Sequence, residues 1–247
     1  GLGHAERPAD YWEAYHTWAA YSNRRLGMNA APAATRPRKE RNTQVDLGWV
    51  YAGEKTNASL SLYYAHIHDF ILRLPQIGMG MNARTPYGNA NARLYGFEAE
   101  VTRTVSPLWT FGASLAYTRG DDRTNNAALP QIAPLEANLT AKYSHKKMEA
   151  NAVWRLVSKQ NRYHRGYGSV TGTDYGPTGG FGILSLSLAY RPDENLTFSL
   201  GVDNLLNKTY AEFVNYSEAA IPALGISAGG HITEPGRTLW LKGSCKF

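Results

Sequence analysis

Two methionines, Met79 and Met81, flank a glycine in a stretch without strand-like alternation, and together they offer a pair of thioethers to a soft metal ion. His231 or Met28, each in another irregular stretch, would add a further donor. The competing reading is that the two methionines simply pack a loop. His66 and His68 stand at i, i+2, a strand spacing that puts both imidazoles on one face and can chelate a metal. They continue the otherwise apolar set Leu60, Leu62 and Tyr64, which favours a place at the margin of an apolar surface over a metal site. The single cysteine, Cys245, excludes an internal disulfide and any cysteine-based zinc site. It falls on an apolar strand face, where a thiol behaves as a small hydrophobe.

Catalytic arrangements are not evident. Asp46, Glu98, Glu100, Glu136 and Glu149 alternate with Lys142 and Arg155 in the way expected of a polar interior surface that meets a partner segment through salt bridges and water. No nucleophile motif, phosphate loop or zinc spacing is present, so neither enzymatic activity nor a bound cofactor is expected. The formal charge of +6 raises the question of nucleic acid, but the one dense basic cluster is Arg36, Arg38, Lys39 and Arg41. It reads as a solvated loop run or a contact for anionic lipid headgroups, and no nucleic-acid partner is expected.

The elements that must position these residues are strands. Sixteen tyrosines, 24 glycines and a charged fraction of only 19% in 247 residues favour short strands and turns over amphipathic helices. Period-2 alternation recurs nearly throughout. Val45, Leu47, Trp49 and Tyr51 alternate with Gln44, Asp46 and Gly48, and Tyr95, Phe97, Ala99 and Val101 with Gly96, Glu98 and Glu100. The same pattern runs through residues 109–118, 135–143, 148–156, 184–190, 196–203 and 238–247.

Mean hydropathy is −0.41, and no stretch approaches the roughly 20 apolar residues of a spanning helix. A spanning strand, however, shows lipid only every second side chain, so a membrane barrel averages out as moderately polar. None of the apolar faces carries a charge at mid-strand, where an outward Arg or Lys costs about 2–4 kcal/mol in lipid. Several apolar sets finish in Trp or Tyr, as Trp49 and Tyr51, Tyr117, Tyr143 and Tyr190 do, which suits an interfacial aromatic girdle.

Connections alternate between short and long. Short turns are expected at residues 53–55, 105–108, 145–147 and 191–195, and long loops at about 9–38, 75–91, 121–131, 161–180 and 208–235. Tight periplasmic turns opposite long extracellular loops are a property of bacterial outer-membrane barrels. The first loop carries Trp12, Tyr15, Trp18 and Tyr21 at helix-like three-residue spacing, so a short helix is expected there. About nine full strands plus an N-terminal remnant are too few and odd in number for a bacterial single-chain barrel, and open edges are not tolerated in lipid. Further strands are therefore expected to complete the wall.

Several stretches in order resemble the C-terminal half of TonB-dependent outer-membrane receptors. They are Gly1-Leu-Gly-His-Ala-Glu-Arg-Pro with Tyr11-Trp-Glu, then Arg36-Pro-Arg-Lys-Glu-Arg-Asn-Thr-Gln-Val-Asp-Leu-Gly, and Asp69-Phe-Ile. Gly96-Phe-Glu, Val202-Asp-Asn-Leu-Leu-Asn-Lys-Thr-Tyr, Pro235-Gly-Arg-Thr and the terminal Phe247 follow. Pro8-Ala-Asp-Tyr-Trp-Glu, Trp154-Arg-Leu-Val-Ser-Lys-Gln and Glu234-Pro-Gly-Arg-Thr-Leu-Trp are most similar to the copper receptors of that family.

The resemblance implies an all-β transmembrane antiparallel barrel of 22 strands, of which residues 1–247 form the C-terminal part, about 9–10 strands. The N-terminal plug and the earlier strands lie outside this sequence. It further implies uptake of a metal ion or metal chelate, copper foremost as the transported ligand, across the outer membrane of a Gram-negative bacterium. The implied partners are the plug and barrel segment of the same receptor, the TonB complex through that plug, and outer-membrane lipid and lipopolysaccharide. The main metal site is implied to lie outside this sequence, leaving Met79 and Met81 as its local candidates. A passive porin-like channel, an adhesin or phage and bacteriocin receptor, and a soluble carbohydrate-binding β-sandwich are the alternatives.

Overall fold

The computed structural model describes residues 1–16, 37–75, 86–169, 172–215 and 231–246, apart from the side chains of Trp12, Tyr15 and His16. The alternating segments form the strands β1 (Leu2–Arg7), β2 (Glu40–Ala52), β3 (Thr56–Arg73), β4 (Tyr87–Thr104), β5 (Trp109–Asp122), β7 (Glu136–His145), β8 (Met148–Val157), β11 (Phe181–Tyr190), β12 (Leu196–Asp203) and β13 (Thr238–Cys245). They pair as one antiparallel meander in that order. This is the nine-plus-remnant count expected from the sequence, in the form of a partial barrel. Short strands β6 (Ala127–Ala128), β9 (Gly168–Ser169) and β10 (Gly172–Thr173) lie in the long loops. Helix α1 (Tyr11–His16) stands where the aromatic spacing calls for one, while Trp18 and Tyr21 lie outside the described residues.

Register decides which side chains share a face. Val45 pairs with Tyr64 and Tyr64 with Tyr95, Leu47 with Leu62 and Leu62 with Phe97, and Phe97 with Tyr117. Further along, Leu139 pairs with Trp154, Trp154 with Leu184, Leu188 with Leu200 and Leu200 with Leu241. Every apolar set read from the sequence therefore lies on the same side of the sheet. On that side Val45, Leu47, Trp49, Tyr64, Trp154, Leu200 and Leu241 are exposed, the inverse of a water-soluble sheet and the arrangement lipid requires.

β3 and β4 run 18 residues each, well beyond the roughly 9–11 that cross a bilayer, so their loop-side ends stand clear of it. Residues 87–91, expected as loop, are part of β4 because β3 continues past a bulge to meet them. The register moves from Ile67 opposite Ala92 to Phe70 opposite Ala90, so His68 and Asp69 together face Asn91. Asp69 takes the extra residue's left-handed backbone, φ 58°. Its carboxylate accepts from Arg38 Nε at 2.8 Å and from Arg41 Nη2 at 2.9 Å. Glu40 Oε2 accepts from the Ile71 amide at 2.8 Å and from Arg7 at 2.9 Å. The Arg38 to Arg41 run and the Asp69-Phe-Ile stretch are thus two halves of one clasp that locks β1, β2 and β3 together at the loop end.

Among the described residues, apolar burial is confined to that end. Ile67, Ala92 and Leu129 form one cluster and Val157, Phe181 and Ile183 another, each under a loop folded over the inner side of the sheet. The loop after β5 is joined to the loop after β8 by Asp174, which is 2% exposed. Its carboxylate accepts from the Gln131 amide at 2.9 Å, from Gln131 Nε2 at 3.0 Å and from the His164 amide at 2.8 Å. Burial pushes this carboxyl above the usual range, and the Gln131 and His164 donors offset only part of that.

Two outcomes follow for the intact protein. A methyl at Gly96 would lie 2.1 Å from the Tyr117 carbonyl oxygen and 2.6 Å from Tyr63 Oη, so Gly96→Ala should destabilise the barrel by about 1–3 kcal/mol in urea unfolding from detergent. Asp174→Ala leaves the partly buried amides of Gln131 and His164 without this acceptor, at a cost of about 1–3 kcal/mol each, and should raise hydrogen exchange in residues 123–135 and 158–169 while leaving β7 and β8 protected.

Candidate functional site

All five long connections leave the meander at one end and the short turns lie at the other, and the described parts of the loops after β5, β8 and β12 pack over the inner face. At that end Arg155, on β8, gathers the interior charges. Its Nη2 donates to Glu136 Oε2 on β7 at 2.6 Å and to Glu212 Oε2 at 3.2 Å, and Nη1 pairs with Glu212 Oε1. The guanidinium lies 5.4 Å from the centre of the Phe181 ring, which packs on Tyr210 at 4.4 Å. Tyr210 and Glu212 belong to the loop between β12 and β13, so one arginine ties that loop to the wall. Burial and then the charges of Glu234 and Glu212 push the Tyr210 phenol up.

The start of the same loop explains the Val202-Asp-Asn-Leu-Leu-Asn-Lys stretch. Asn204 and Asn207 both adopt left-handed backbone, φ 51°, a conformation asparagine tolerates better than most residues. The Asn204 carboxamide accepts from the Lys208 amide at 2.8 Å and donates to the Lys208 carbonyl at 2.8 Å. Asn207 Oδ1 accepts from the Arg237 amide at 2.9 Å, closing the base of the loop. Beneath it lies a 370 Å³ cavity lined by Asn138, Arg155, Asp203, Asn204, Tyr210 and Thr238. Its polar groups are oxygen and nitrogen, with no sulfur or imidazole donor for a bare soft ion.

Nearer the turns, Lys142 reaches Glu149 Oε2 at 2.8 Å and Arg191 approaches it at 3.5 Å. Glu136 and Glu149, expected to meet a partner segment, are thus neutralised within the wall by cross-strand diagonals. Glu98 and Glu100 are different. They share a 390 Å³ depression with Val50, Ser59, Ser61 and Ser114 and have no ion-pair partner among the described residues. The inner wall therefore keeps one acidic strip available.

Met79, Met81 and Met28 lie outside the described residues. His231 is described, with a buried Nδ1 that meets no hydrogen-bond partner among the described residues. His66 and His68 have ring centroids 4.4 Å apart on the outward face, beyond Tyr64, and Cys245 is exposed opposite Leu196 at the turn end. No group of three or more His, Cys, Asp or Glu side chains that could hold a metal occurs among the described residues. Glu212 is the functional-looking residue that sequence reasoning missed. It lies in an aperiodic loop 57 residues from Arg155, and nothing local signals the pairing.

The family described as TonB dependent receptor-like, beta-barrel matches residues 1–205. No curated protein sequence matches the chain. Among solved structures, the copper transporter OprC is 38% identical with a TM-score of 0.87, over all of this chain and 36% of its own. The ferric yersiniabactin uptake receptor FyuA of Yersinia pestis, 17% identical with a TM-score of 0.68, is matched over all of this chain and 34% of its own. A mutant of the ferric enterobactin receptor PfeA of Pseudomonas aeruginosa, 20% identical with a TM-score of 0.63, is matched over 85% of this chain and 31% of its own. The last two show the fold alone. The chain spans about a third of the length of each of these structures. TonB-dependent receptors are transporters and not enzymes, and an exposed apolar wall around a charged interior, capped by loops at one end, is how such a receptor is built. By family match and by fold, this chain belongs to the TonB-dependent receptors, as part of their β-barrel.

Proposed function

We propose that residues 1–247 are the C-terminal wall of an active transporter in the outer membrane of a Gram-negative bacterium, taking up a metal ion or metal chelate, with copper first. The observation that carries the metal is the 38% identity to a copper transporter over the whole chain. The wall itself supports transport. Its outward face suits lipid, its inward face is polar, and Arg155 secures a loop above an interior cavity. The edges β1 and β13 each pair on one side only among the described residues, so preceding strands close the barrel. A plug fills the lumen, and Glu98 and Glu100 offer it an acidic strip to dock on. Energy comes from the TonB complex through that plug. Met79 and Met81 serve as loop thioethers that capture copper before it reaches a main site elsewhere in the receptor.

The test is accumulation of radioactive copper by cells expressing the full-length receptor. Uptake should depend on both the receptor and TonB; uptake unaffected by TonB loss would favour a passive channel instead. Replacing both Met79 and Met81 with Leu should weaken copper binding to the purified receptor by about tenfold or more, equivalent to about 1.4 kcal/mol. Unchanged affinity would remove these two residues from the capture step. Arg155→Ala should leave the barrel folded but open the β12–β13 loop, read as faster proteolysis within residues 208–215.

A further inference from the structure

The loop after β8 does not stay above its own strand. It closes a base where Gln160 and Thr178 exchange amide-to-carbonyl bonds at 3.0 Å, then passes the ends of β7, β5 and β4 to set Gly168 opposite Arg73 on β3. It is a strap laid across the loop end of the wall. Three contacts pin it on the way. Gln160 Nε2 donates to the Ile132 carbonyl at 3.0 Å, Arg162 donates to Asp121 Oδ1 at 2.7 Å, and Asp174 takes the amides of Gln131 and His164.

Asp174 is the odd member of this set. Its carboxyl is buried and has no ion-pair partner among the described residues, whereas Asp69 and Asp121, at the same rim, hold two and three arginines. An ionised carboxylate buried without a counter-cation is costly. The side chain that meets it has the complementary defect. Gln131 donates to Oδ1 from its amide and from Nε2, but Oε1 of the same carboxamide is buried with no hydrogen-bond donor among the described residues. A proton on Asp174 cures both faults, since it removes the buried charge and supplies the donor that Gln131 Oε1 lacks. Gln131 is held for this contact in left-handed backbone, φ 61°, a strained conformation for a glutamine.

We propose that Asp174 is a protonated carboxylic acid joining Gln131 to the strap, and that this proton makes the strap a cover that closes in acid and loosens as pH rises. The neighbouring charges do not reverse that direction. On the strap, the His164 imidazole stacks on Tyr167 at 3.6 Å with its Nδ1 buried and unpartnered among the described residues, and it pulls the carboxyl the other way. Arg162 is taken by Asp121. β3 brings Arg73 opposite Gly168, and the loop after β5 brings Arg123, which is exposed. Burial outweighs His164 and the three N–H donors and raises the carboxyl above its ordinary 3.8. A carboxyl raised in the closed strap and returned to 3.8 on opening stabilises closure fully below 3.8, and that contribution is lost as pH rises through the closed-state value. The inference depends on the fold alone, whichever solute the receptor carries.

The experiment is hydrogen exchange on the full-length receptor in mild detergent at about pH 4 and about pH 8, with the chemical pH dependence of exchange divided out. Wild-type amides in residues 123–135 and 158–169 should be about tenfold less protected at the higher pH, the equivalent of one pKa unit between closed and open strap, while β7 and β8 stay unchanged. Asp174→Asn keeps a neutral side chain that can donate to Gln131 Oε1, and should hold the acid-level protection at both values. Asp174→Ala should lack it at both, and His164→Gln should keep the wild-type pH dependence. Infrared spectra in acid should show a protonated-carboxyl band in wild type that Asp174→Asn lacks. Resistance to unfolding in unheated electrophoresis shows that each variant barrel is folded; if Asp174→Asn is not, the wild-type pH profile and His164→Gln decide. Wild-type protection that is flat or rises with pH, loss of protection in folded Asp174→Asn, absence of the infrared difference, or loss of the pH dependence in His164→Gln overturns the proposal.

Discussion

A backbone amide or carbonyl in hydrocarbon has no water to bond to, and each one left unpaired costs several kcal/mol. The continuous antiparallel ladder from β1 to β13 is the response to that constraint, and most other features of the chain follow from it. A meander of neighbouring strands needs tight turns at one end, and it frees the other end for long loops. It also fixes side-chain parity, so a single register commits every second residue of every strand to lipid and the rest to the interior. A slip of one residue in β4 or in β8 would carry Glu98 or Arg155 outward.

Because the outward face takes its stability from lipid, the apolar core is small and peripheral. The clusters around Ile67 and Phe181 sit under the loops, where chain leaves the ladder and must find other partners. Polar side chains replace strand pairing there. Asp69 and Asp174 each accept several hydrogen bonds from other segments of the chain, Asn204 bonds Lys208 and the Pro235 carbonyl, and Asp69 and Asn204 also occupy left-handed backbone. The loops are therefore held to the rim by specific contacts, which is what a receptor needs if a captured solute is to be presented to one place.

Charge on the inner wall follows the same economy. Glu136, Arg155 and Glu212 form a compact group whose members are 19–31% exposed, so their attraction is only partly screened. Glu149 is shared between Lys142 and Arg191. Glu98 and Glu100 break the pattern, and on the reading proposed above their counter-charges belong to a segment inside the barrel.

Local periodicity sufficed to determine the strands, their faces, the segregation of short turns from long loops and the membrane as solvent, because a two-residue period and a turn are properties of neighbouring residues. Val45 to Tyr51 and Trp109 to Tyr117 needed no partner to declare themselves. The sequence also marked Asp69-Phe-Ile and the Asn204 to Lys208 stretch as notable without saying why. Only the tertiary structure decided that Asp69 caps a bulge and receives Arg38 and Arg41, that residues 87–91 are strand because β3 extends to pair with them, and that Arg155 reaches across to Glu212. Those facts depend on which distant segments register brings side by side, and a chain's own periodicity carries no record of its neighbours.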